Sequence, residues 1–178
     1  MKRRQLIAAT CAAAIITPLA RIAGAAPVKP QIGDVLVHAF GDRAGIAISP
    51  DDVIDERLFA FPMGPDGIVR SRSLHNQLSV LRLDEAAMTD RTRSYAAGPY
   101  VAVSAACTHT GCEVSGWQAE VSELECPCHG SRFNVLDAAR VVNGPATRPL
   151  AYLPIELTDN VFRVMGKFSR RVGPPPAY

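Results

Sequence analysis

From about residue 33 onward, short apolar runs alternate along the chain with polar, turn-forming positions. The runs are four to seven residues long and rich in aliphatic and aromatic side chains, which is typical of β-strands rather than amphipathic helices. Strands are predicted at residues 33–37, 58–61, 67–70, 77–83, 100–104, 153–157 and 161–165. We therefore expect an all-β fold, in the form of a small antiparallel β sandwich or barrel.

Turn signals connect these runs at two places. Gly64-Pro-Asp-Gly67 separates the second run from the third, and Asp159-Asn160 separates the last two at the spacing of a hairpin. Residues 84–92 lack strand alternation and predict a short helix or an irregular excursion. The segment from about 104 to 148 is expected to be a subdomain inserted between strands.

Two short loops in this insertion carry cysteine and histidine at fixed spacings. They read Cys-Thr-His-Thr-Gly-Cys from residue 107 and Cys-Pro-Cys-His-Gly-Ser from residue 126. A C-x-H pair, followed after sixteen residues by a C-x2-H pair, offers Cys107, His109, Cys126 and His129 as ligands. Two thiolates on one iron and two imidazoles on the other form the ligand set of a Rieske [2Fe-2S] centre. The loops therefore predict one such cluster and one-electron transfer at fairly high potential.

Two other interpretations use the same residue types. A structural zinc site favours C-x2-4-C spacings, which these loops do not follow as a ligand set. An arrangement with disulfides alone would leave the two histidines without a purpose. Once the four ligands are assigned, Cys112 and Cys128 remain, and these two can pair with each other.

The loops resemble those of the disulfide-containing branch of the Rieske family, which is found in cytochrome bc-type quinol oxidoreductases. The resemblance is strong over residues 100–150. It includes residues 143–150, which are similar to the proline-rich loop that covers the third side of the cluster in that branch. The resemblance implies a disulfide between Cys112 and Cys128 over the cluster.

Three positions beside the second loop are expected to tune the cluster. Ser131 matches a serine that donates a hydrogen bond to a bridging sulfide, and Gly130 lets the backbone pass close to sulfide. Phe133 stands where many family members carry a tyrosine that donates to a ligand cysteine. Because such hydrogen bonds stabilise the reduced state, we expect a lower potential than in the tyrosine-bearing relatives.

The partner-docking face is expected at Thr110, Gly144 and Pro145. Thr110 stands where bc-type members usually carry a leucine that packs against the quinol-binding subunit, which weakens the quinol interpretation. The resemblance implies a larger redox partner, either cytochrome b-like or a molybdenum enzyme such as arsenite oxidase, and a c-type cytochrome as electron acceptor.

The N-terminal residues 1–25 have the organisation of an export signal. A charged start is followed by fifteen mainly apolar positions from Leu6 to Ala20 and then by an A-x-A site. The core Arg3-Arg4-x-Leu6-Ile7 resembles a twin-arginine signal, a route that suits a protein whose cofactor is inserted before export. We expect a periplasmic protein cleaved after Ala25; the alternative is an uncleaved anchor in the inner membrane.

The remaining chain has the size of one domain. Residues 26–168 are expected to form it, with 169–178 as a flexible, proline-rich tail. Four of the nineteen lysines and arginines lie in the leader, which leaves fifteen against seventeen acidic side chains. Since no basic stripe with interleaved aromatic residues occurs, a nucleic-acid partner is not expected.

A Rieske oxygenase is the remote alternative. Such enzymes add a mononuclear iron site, formed by two histidines and a carboxylate on a large domain, but only His38 and His75 remain here. Oxygenase clusters also generally lack the extra cysteine pair. A soluble Rieske ferredoxin is disfavoured by the export signal and by those cysteines. We therefore expect the electron-transfer subunit of an exported, quinol-cytochrome c reductase-like oxidoreductase, with the small subunit of a molybdenum oxidoreductase as the alternative, rather than a stand-alone catalyst.

Overall fold

The computed structural model describes residues 28–53 and 57–176. Within them, eleven strands form two antiparallel sheets. The strands are β1 (Val35–His38), β2 (Leu58–Met63), β3 (Leu78–Arg82), β4 (Tyr100–Ser104), β5 (Gly116–Gln118), β6 (Glu123–Cys126), β7 (Ser131–Asn134), β8 (Arg140–Asn143), β9 (Tyr152–Leu153), β10 (Ile155–Thr158) and β11 (Val161–Val164). One α-helical turn, α1 (Asp90–Arg93), and four 3-10 turns at Pro50–Asp52, Leu74–Asn76, Glu85–Ala87 and Ala119–Val121 complete the described part.

The larger sheet has seven strands in the order β10-β11-β1-β2-β3-β4-β9. Its two edge strands, β9 and β10, are consecutive in the chain and are separated only by Pro154. One residue cannot span an open sheet of this width, so the sheet curls until its edges nearly meet. Leu36, Val80 and Phe162 are fully buried inside it. The all-β, barrel-like fold predicted from the sequence is confirmed.

The smaller sheet has the order β5-β6-β7-β8 and lies in sequence between β4 and β9. It is therefore an insertion into the barrel, as the sequence predicts. A second core lies at this sheet and contains the fully buried Leu124 and Phe133 together with Tyr152 of β9. The Tyr152 hydroxyl donates a hydrogen bond to the carbonyl of Val135, so β9 joins the two sheets.

Two of the turns predicted from the sequence are present, but one of the predicted strands is not. Asp159 and Asn160 both have positive φ, 54° and 61°, in the tight hairpin between β10 and β11, which confirms that turn. The turn at residues 64–67 is also present, closed by the Gly67 amide on the Gly64 carbonyl at 2.9 Å. The strand predicted at 67–70 is wrong, because Val69 forms only an isolated bridge to Met63 and no continuous ladder follows.

The excursion after β3 links the barrel to the inserted sheet. It consists of the 3-10 turn Glu85–Ala87 and α1, whose N-cap is Thr89. The buried Thr92 hydroxyl donates to the Leu136 carbonyl at 2.9 Å and accepts from the Ala138 amide at 2.9 Å. The irregular segment therefore holds the turn that follows β7 in place.

The proline-rich C-terminal segment contacts the domain. Ser169 donates its amide to the Tyr152 carbonyl at 2.8 Å, and its hydroxyl accepts the Tyr152 amide at 2.9 Å. Further along, Gly173 is buried, and its carbonyl accepts a hydrogen bond from Arg148. Ser169 and Gly173 of the proline-rich segment are thus bound to the domain by hydrogen bonds, which its composition does not predict.

The predicted export signal, residues 1–25, lies outside the described residues. In the segments 28–53 and 57–176, no helix has the length and apolar content needed to cross a bilayer.

Candidate metal centre

The two cysteine-histidine loops share one backbone design. In the first loop (residues 107–112) the Gly111 amide donates to the Cys107 carbonyl at 3.0 Å, and in the second loop (residues 126–131) the Gly130 amide donates to the Cys126 carbonyl at 3.0 Å. Both glycines have left-handed φ values, 87° and 70°, which other residues adopt at a cost. Each loop therefore turns back on its first cysteine at a glycine, two residues after His109 in the first loop and one residue after His129 in the second.

A disulfide joins the tips of the two loops. Cys112 and Cys128 are bonded, with a Cα–Cα distance of 6.6 Å and a sequence separation of 16 residues. The pairing expected from the family resemblance is therefore formed. It fixes the distance between the loops on the surface side of the site.

The four candidate ligands lie at the same end of the inserted subdomain. Cys107 and Cys126 are free thiols with 1% exposure each, at the inner side of the two loops. His109 is half-buried and His129 is exposed, and their ring centroids lie 4.8 Å apart in an edge arrangement. The Nδ1 atom of His109 is buried and has no hydrogen-bond partner among the described residues. A buried imidazole nitrogen without a partner fits a metal ligand, because burial without a bond would otherwise be costly.

The chemistry of the thiols also fits an iron-sulfur centre. The pKa of the Cys126 thiol is raised to about 11, first by burial and then by a hydrogen bond with Cys107, although the backbone amides of Cys128 and His129 act to lower it. Without a metal, Cys126 therefore stays protonated at neutral pH, and metal binding releases that proton. The sulfurs of Cys112, Cys126 and Cys128 also lie within 4.8 Å of one another, but the disulfide removes two of them as thiolate ligands.

A third loop, residues 143–150, closes against the other two. The Asn143 side-chain amide donates to the Gly130 carbonyl at 3.1 Å, and the Ala146 amide donates to the Ser131 hydroxyl oxygen at 3.1 Å. On the other side, the Thr108 hydroxyl donates to the carbonyl of Arg148. The third loop therefore fixes both cysteine-histidine loops at once, in the position the sequence resemblance assigned to it.

Gly144 is the point of closest approach between the third loop and the second. Its φ is +84°, and a Cβ at this position would lie 2.5 Å from the Ser131 Cα and 2.7 Å from its amide nitrogen. Both atoms are backbone, so they cannot move aside in the way that a flexible side chain can. The glycine is required by space as well as by conformation.

We expect Gly144→Ala to destabilise the site severely. The left-handed backbone alone costs alanine ~1–2 kcal/mol, and the clash with Ser131 adds to that cost by pushing the third loop outward. Thermal unfolding and the half-life of the cluster's visible absorbance measure the effect. Gly41→Ala is the matched control, since Gly41 has φ +75° with nothing within 4 Å of its Cβ position. Equal losses in the two variants would contradict the closely packed third loop.

The residues predicted to tune the cluster are buried, whereas those predicted to contact a partner are exposed. Ser131 is 1% exposed, and Phe133 is fully buried in the hydrophobic core that also contains Cys107 and Cys126. At the surface, Thr110 is exposed at the tip of the first loop, with its hydroxyl oxygen 3.7 Å from the Cys112 sulfur. Gly144 and Pro145 are also exposed, on the third loop.

Barrel residues support the first loop in a way that the sequence analysis did not predict. The Gln77 side chain, 3% exposed, donates to the Glu113 carboxylate at 2.7 Å, and the Arg57 guanidinium donates to the Val114 carbonyl at 3.0 Å. These partners are 36 and 57 residues apart in sequence. No local sequence pattern predicts such contacts, because it is the order of the strands in the sheet that brings these residues together.

Comparison with known proteins gives the family. Residues 65–154 match the family described as "Rieske [2Fe-2S] domain". Cytochrome bc1 complex Rieske iron-sulfur subunits from Streptomyces coelicolor and Streptomyces lividans are 30% and 33% identical, over 97% and 82% of this chain. A protein of Haloferax mediterranei named as a respiratory nitrate reductase Rieske subunit is 36% identical over 67% of the chain.

The chain spans 53% of the Streptomyces coelicolor relative, 52% of the Haloferax protein and 94% of the Streptomyces lividans one. Among solved structures, the plasma membrane Rieske protein PetC3 of Synechocystis PCC 6803 is 24% identical, with a TM-score of 0.46 over 66% of this chain and 95% of that one.

With two cysteine-histidine loops, a bridging disulfide and a matched domain, the chain belongs to the Rieske [2Fe-2S] family. It therefore binds one [2Fe-2S] cluster and is a one-electron carrier, related to the Rieske subunits of cytochrome bc1 complexes. The zinc and disulfide-only interpretations are set aside.

Proposed function

We propose that this chain is the electron-transfer subunit of an exported respiratory oxidoreductase of the quinol-cytochrome c reductase type. In this role it takes one electron from a cytochrome b-like partner that oxidises quinol and passes it to a c-type cytochrome. The observation that carries the proposal is the disulfide between Cys112 and Cys128, which closes the two loops as expected for the bc-type branch. The two bc1 subunit relatives from Streptomyces support the same class.

We assign the four ligands from their positions in the loops. Cys107 and Cys126 would hold the inner iron, because their sulfurs are buried and adjacent. His109 and His129 would hold the outer iron, and the unpartnered Nδ1 of His109 is the atom expected to bind it. The bound cluster would supply a site that gains and loses one electron, at a potential raised by the two neutral ligands.

The two sides of the site differ in their access to a partner, so the electron would enter and leave from one side only. The cysteine side faces the apolar core that contains Phe133 and Leu124, through which no partner can approach. The histidine side faces outward, since His129 is exposed and His109 is half-buried. Electron exchange would therefore take place at the imidazole edges, where a docked partner comes nearest to the metal.

The docking face around these edges would be formed by Thr110, Gly144 and Pro145. All three are exposed and lie on the loops that enclose the site. Thr110 offers a hydroxyl where a bc-type subunit usually presents a leucine. The partner surface opposite it is therefore expected to be more polar than in those complexes.

Substitutions at Ser131 and Phe133 are expected to move the midpoint potential in opposite directions. The Ser131 oxygen already accepts the Ala146 amide, which leaves its O–H free to donate to the cluster, so Ser131→Ala should lower the potential. Phe133 stands where the family tyrosine donates to a ligand cysteine, so Phe133→Tyr should add a donor to the Cys107 sulfur and raise the potential. Because only the difference between redox states counts, each shift should be on the order of tens of millivolts.

Protein-film voltammetry measures both shifts, and Phe61→Tyr, in the barrel, is the control for adding a hydroxyl to a buried phenyl ring. An unchanged potential in Phe133→Tyr with an intact cluster spectrum would mean that Phe133 is an ordinary core residue.

Export of the folded protein is part of the proposal. Residues 1–25 carry the features of a twin-arginine signal, and a disulfide is stable in an oxidising compartment such as the periplasm. The protein would be held at the inner membrane by its partner subunit or by an uncleaved N-terminal anchor.

A second candidate is the small Rieske subunit of a periplasmic molybdenum oxidoreductase, such as arsenite oxidase. The Haloferax relative favours it, because its name places a Rieske subunit in a respiratory reductase other than cytochrome bc1. The polar Thr110 at the loop tip is compatible with a partner that binds no quinol.

Isolation of the native complex separates the two candidates. The native membrane fraction is solubilised in mild detergent, the complex is captured with an antibody to this chain, and its subunits are identified by mass spectrometry. We expect a cytochrome b-like subunit. A large molybdenum-containing subunit in its place would overturn the quinol assignment in favour of the second candidate.

A further inference from the structure

A basic groove lies on the domain between three segments that are distant in sequence. The groove has a volume of ≈ 730 Å³ and is lined by residues near the start of the described chain, by the 3-10 turn Leu74–Asn76, and by the C-terminal segment. Four of its ten lining residues are Lys29, Lys167, Arg170 and Arg171, and the lining contains no aspartate or glutamate. His75 also lines the groove.

These cations are not neutralised within the described part of the chain. The ion pairs among residues 28–53 and 57–176 involve other basic residues and none of the four in the groove. The Nη2 atom of Arg170 is buried and has no hydrogen-bond partner there. A guanidinium with a buried, unpaired donor is unfavourable unless an anion completes it.

The neighbourhood of Arg170 supports the same conclusion. Burial lowers the pKa of Arg170, and the nearby guanidinium groups of Arg91 and Arg148 lower it further. Tyr95 and Tyr152 act in the opposite direction. The groove therefore gathers several positive groups on a lining that contains no aspartate or glutamate, which is the arrangement of a site that receives its anion from outside.

We propose that this groove binds a phosphate-bearing anion, with Arg170 and Lys167 as its main contacts. The planar guanidinium presents parallel donors that match the oxygens of phosphate, and lysine adds a flexible point charge. A groove of ≈ 730 Å³ is larger than a single phosphate, so a pyrophosphate-like group or a phospholipid headgroup fits better. The shared chemistry is a phosphate group, and its source is either a soluble compound or an anionic lipid surface. This site is separate from the cluster ligands and does not depend on the proposed function.

Pyrophosphate binding to the purified holoprotein tests the proposal. Isothermal titration at low salt should give saturable binding, weakened by raising the salt concentration because the contacts are ionic. Arg170→Gln and Lys167→Gln should each weaken binding ~10- to 100-fold, the effect of losing one charge-assisted contact. Lys167 is exposed, so Lys167→Gln serves even where Arg170→Gln affects folding. Arg82→Gln, an exposed arginine on β3 outside the groove, is the control and should bind normally.

A second arm identifies the source of the phosphate. Holoprotein is sedimented with vesicles of phosphatidylglycerol or of phosphatidylcholine. Binding to the anionic vesicles that pyrophosphate displaces assigns a lipid headgroup, whereas binding of pyrophosphate alone assigns a soluble anion. Absence of saturable binding to both probes, or equal binding by Lys167→Gln, Arg170→Gln and Arg82→Gln, would overturn the site.

Discussion

The variants His109→Ala and His129→Ala are expected to contain no [2Fe-2S] cluster after purification. Each imidazole would supply one of four ligands, and the remaining three cannot complete both iron coordination shells. His109 makes no hydrogen bond through its buried Nδ1 that could explain its position otherwise. Iron and labile sulfide should fall from two of each per chain to nearly none, and the visible absorbance should disappear.

His75→Ala is the matched control for these variants. His75 is an exposed histidine on the 3-10 turn Leu74–Asn76 and belongs to neither loop, so its loss should leave the iron content unchanged. The disulfide between Cys112 and Cys128 reports on folding, because it should still form in the variants that lack the cluster. A full cluster in either His109→Ala or His129→Ala would show that the ligand assignment is wrong.

Removal of the disulfide should give the second large effect. In the double variant Cys112→Ser, Cys128→Ser, the free energy of unfolding should fall by about 3 kcal/mol, the value expected for a closed loop of about 15 residues. The separation of the two cysteines is 16 residues. The cluster should also be lost faster on heating, since the tips of both loops are then free to separate. Denaturant unfolding and cluster absorbance measure the two effects.

Alkylation provides the companion test of the bond itself. In the untreated holoprotein, a thiol reagent applied without reductant should label neither Cys112 nor Cys128. Reducing the disulfide in the unsubstituted chain should then lower its stability to that of the double variant. Labelling of either cysteine before reduction, or an unfolding free energy unchanged by the substitutions, would contradict the structural role of the disulfide.

Much of the fold follows from local signals in the sequence. The hairpin at Asp159-Asn160 was predictable because both residues tolerate positive φ between two apolar runs. The strands at Leu78–Arg82 and Tyr100–Ser104 were predictable because their apolar residues are buried in the sheet. The strand expected at 67–70 is reduced to a single bridge between Val69 and Met63, beside which the Arg70 amide donates to the Pro62 carbonyl at 2.8 Å. The Arg70 side chain binds the buried carboxylate of Asp34 at 2.6 Å.

Contacts between distant segments could not be predicted from the pattern of hydrophobic and polar residues. The strands β9 and β10 are consecutive in the chain but lie at opposite edges of the sheet, so the sheet closes into a barrel. No local run of residues predicts this closure. The tail from Ser169 to Gly173 is fixed mainly through backbone groups, which bond to Tyr152 and Arg148. Its amino-acid composition therefore could not predict these contacts. The basic groove is formed in part by that same tail and was not predicted for the same reason.

The site itself was more predictable than its support. The spacing of cysteines and histidines in the two loops named the candidate ligands, and Gly144 was expected to lie beside the cluster. The spacing could not reveal that Gly144 meets the Ser131 backbone, or that Gln77 and Glu113 brace the first loop. Ligand spacing is written in a few adjacent residues, whereas the contacts that hold the loops depend on the completed fold.

Electron paramagnetic resonance of the reduced, purified holoprotein tests the central claim most directly. Ligation of one iron by His109 and His129 should give the low average g-value of a histidine-ligated [2Fe-2S] cluster, with hyperfine coupling to two imidazole nitrogens. A higher average g-value, typical of all-cysteine ligation and without nitrogen coupling, would contradict it.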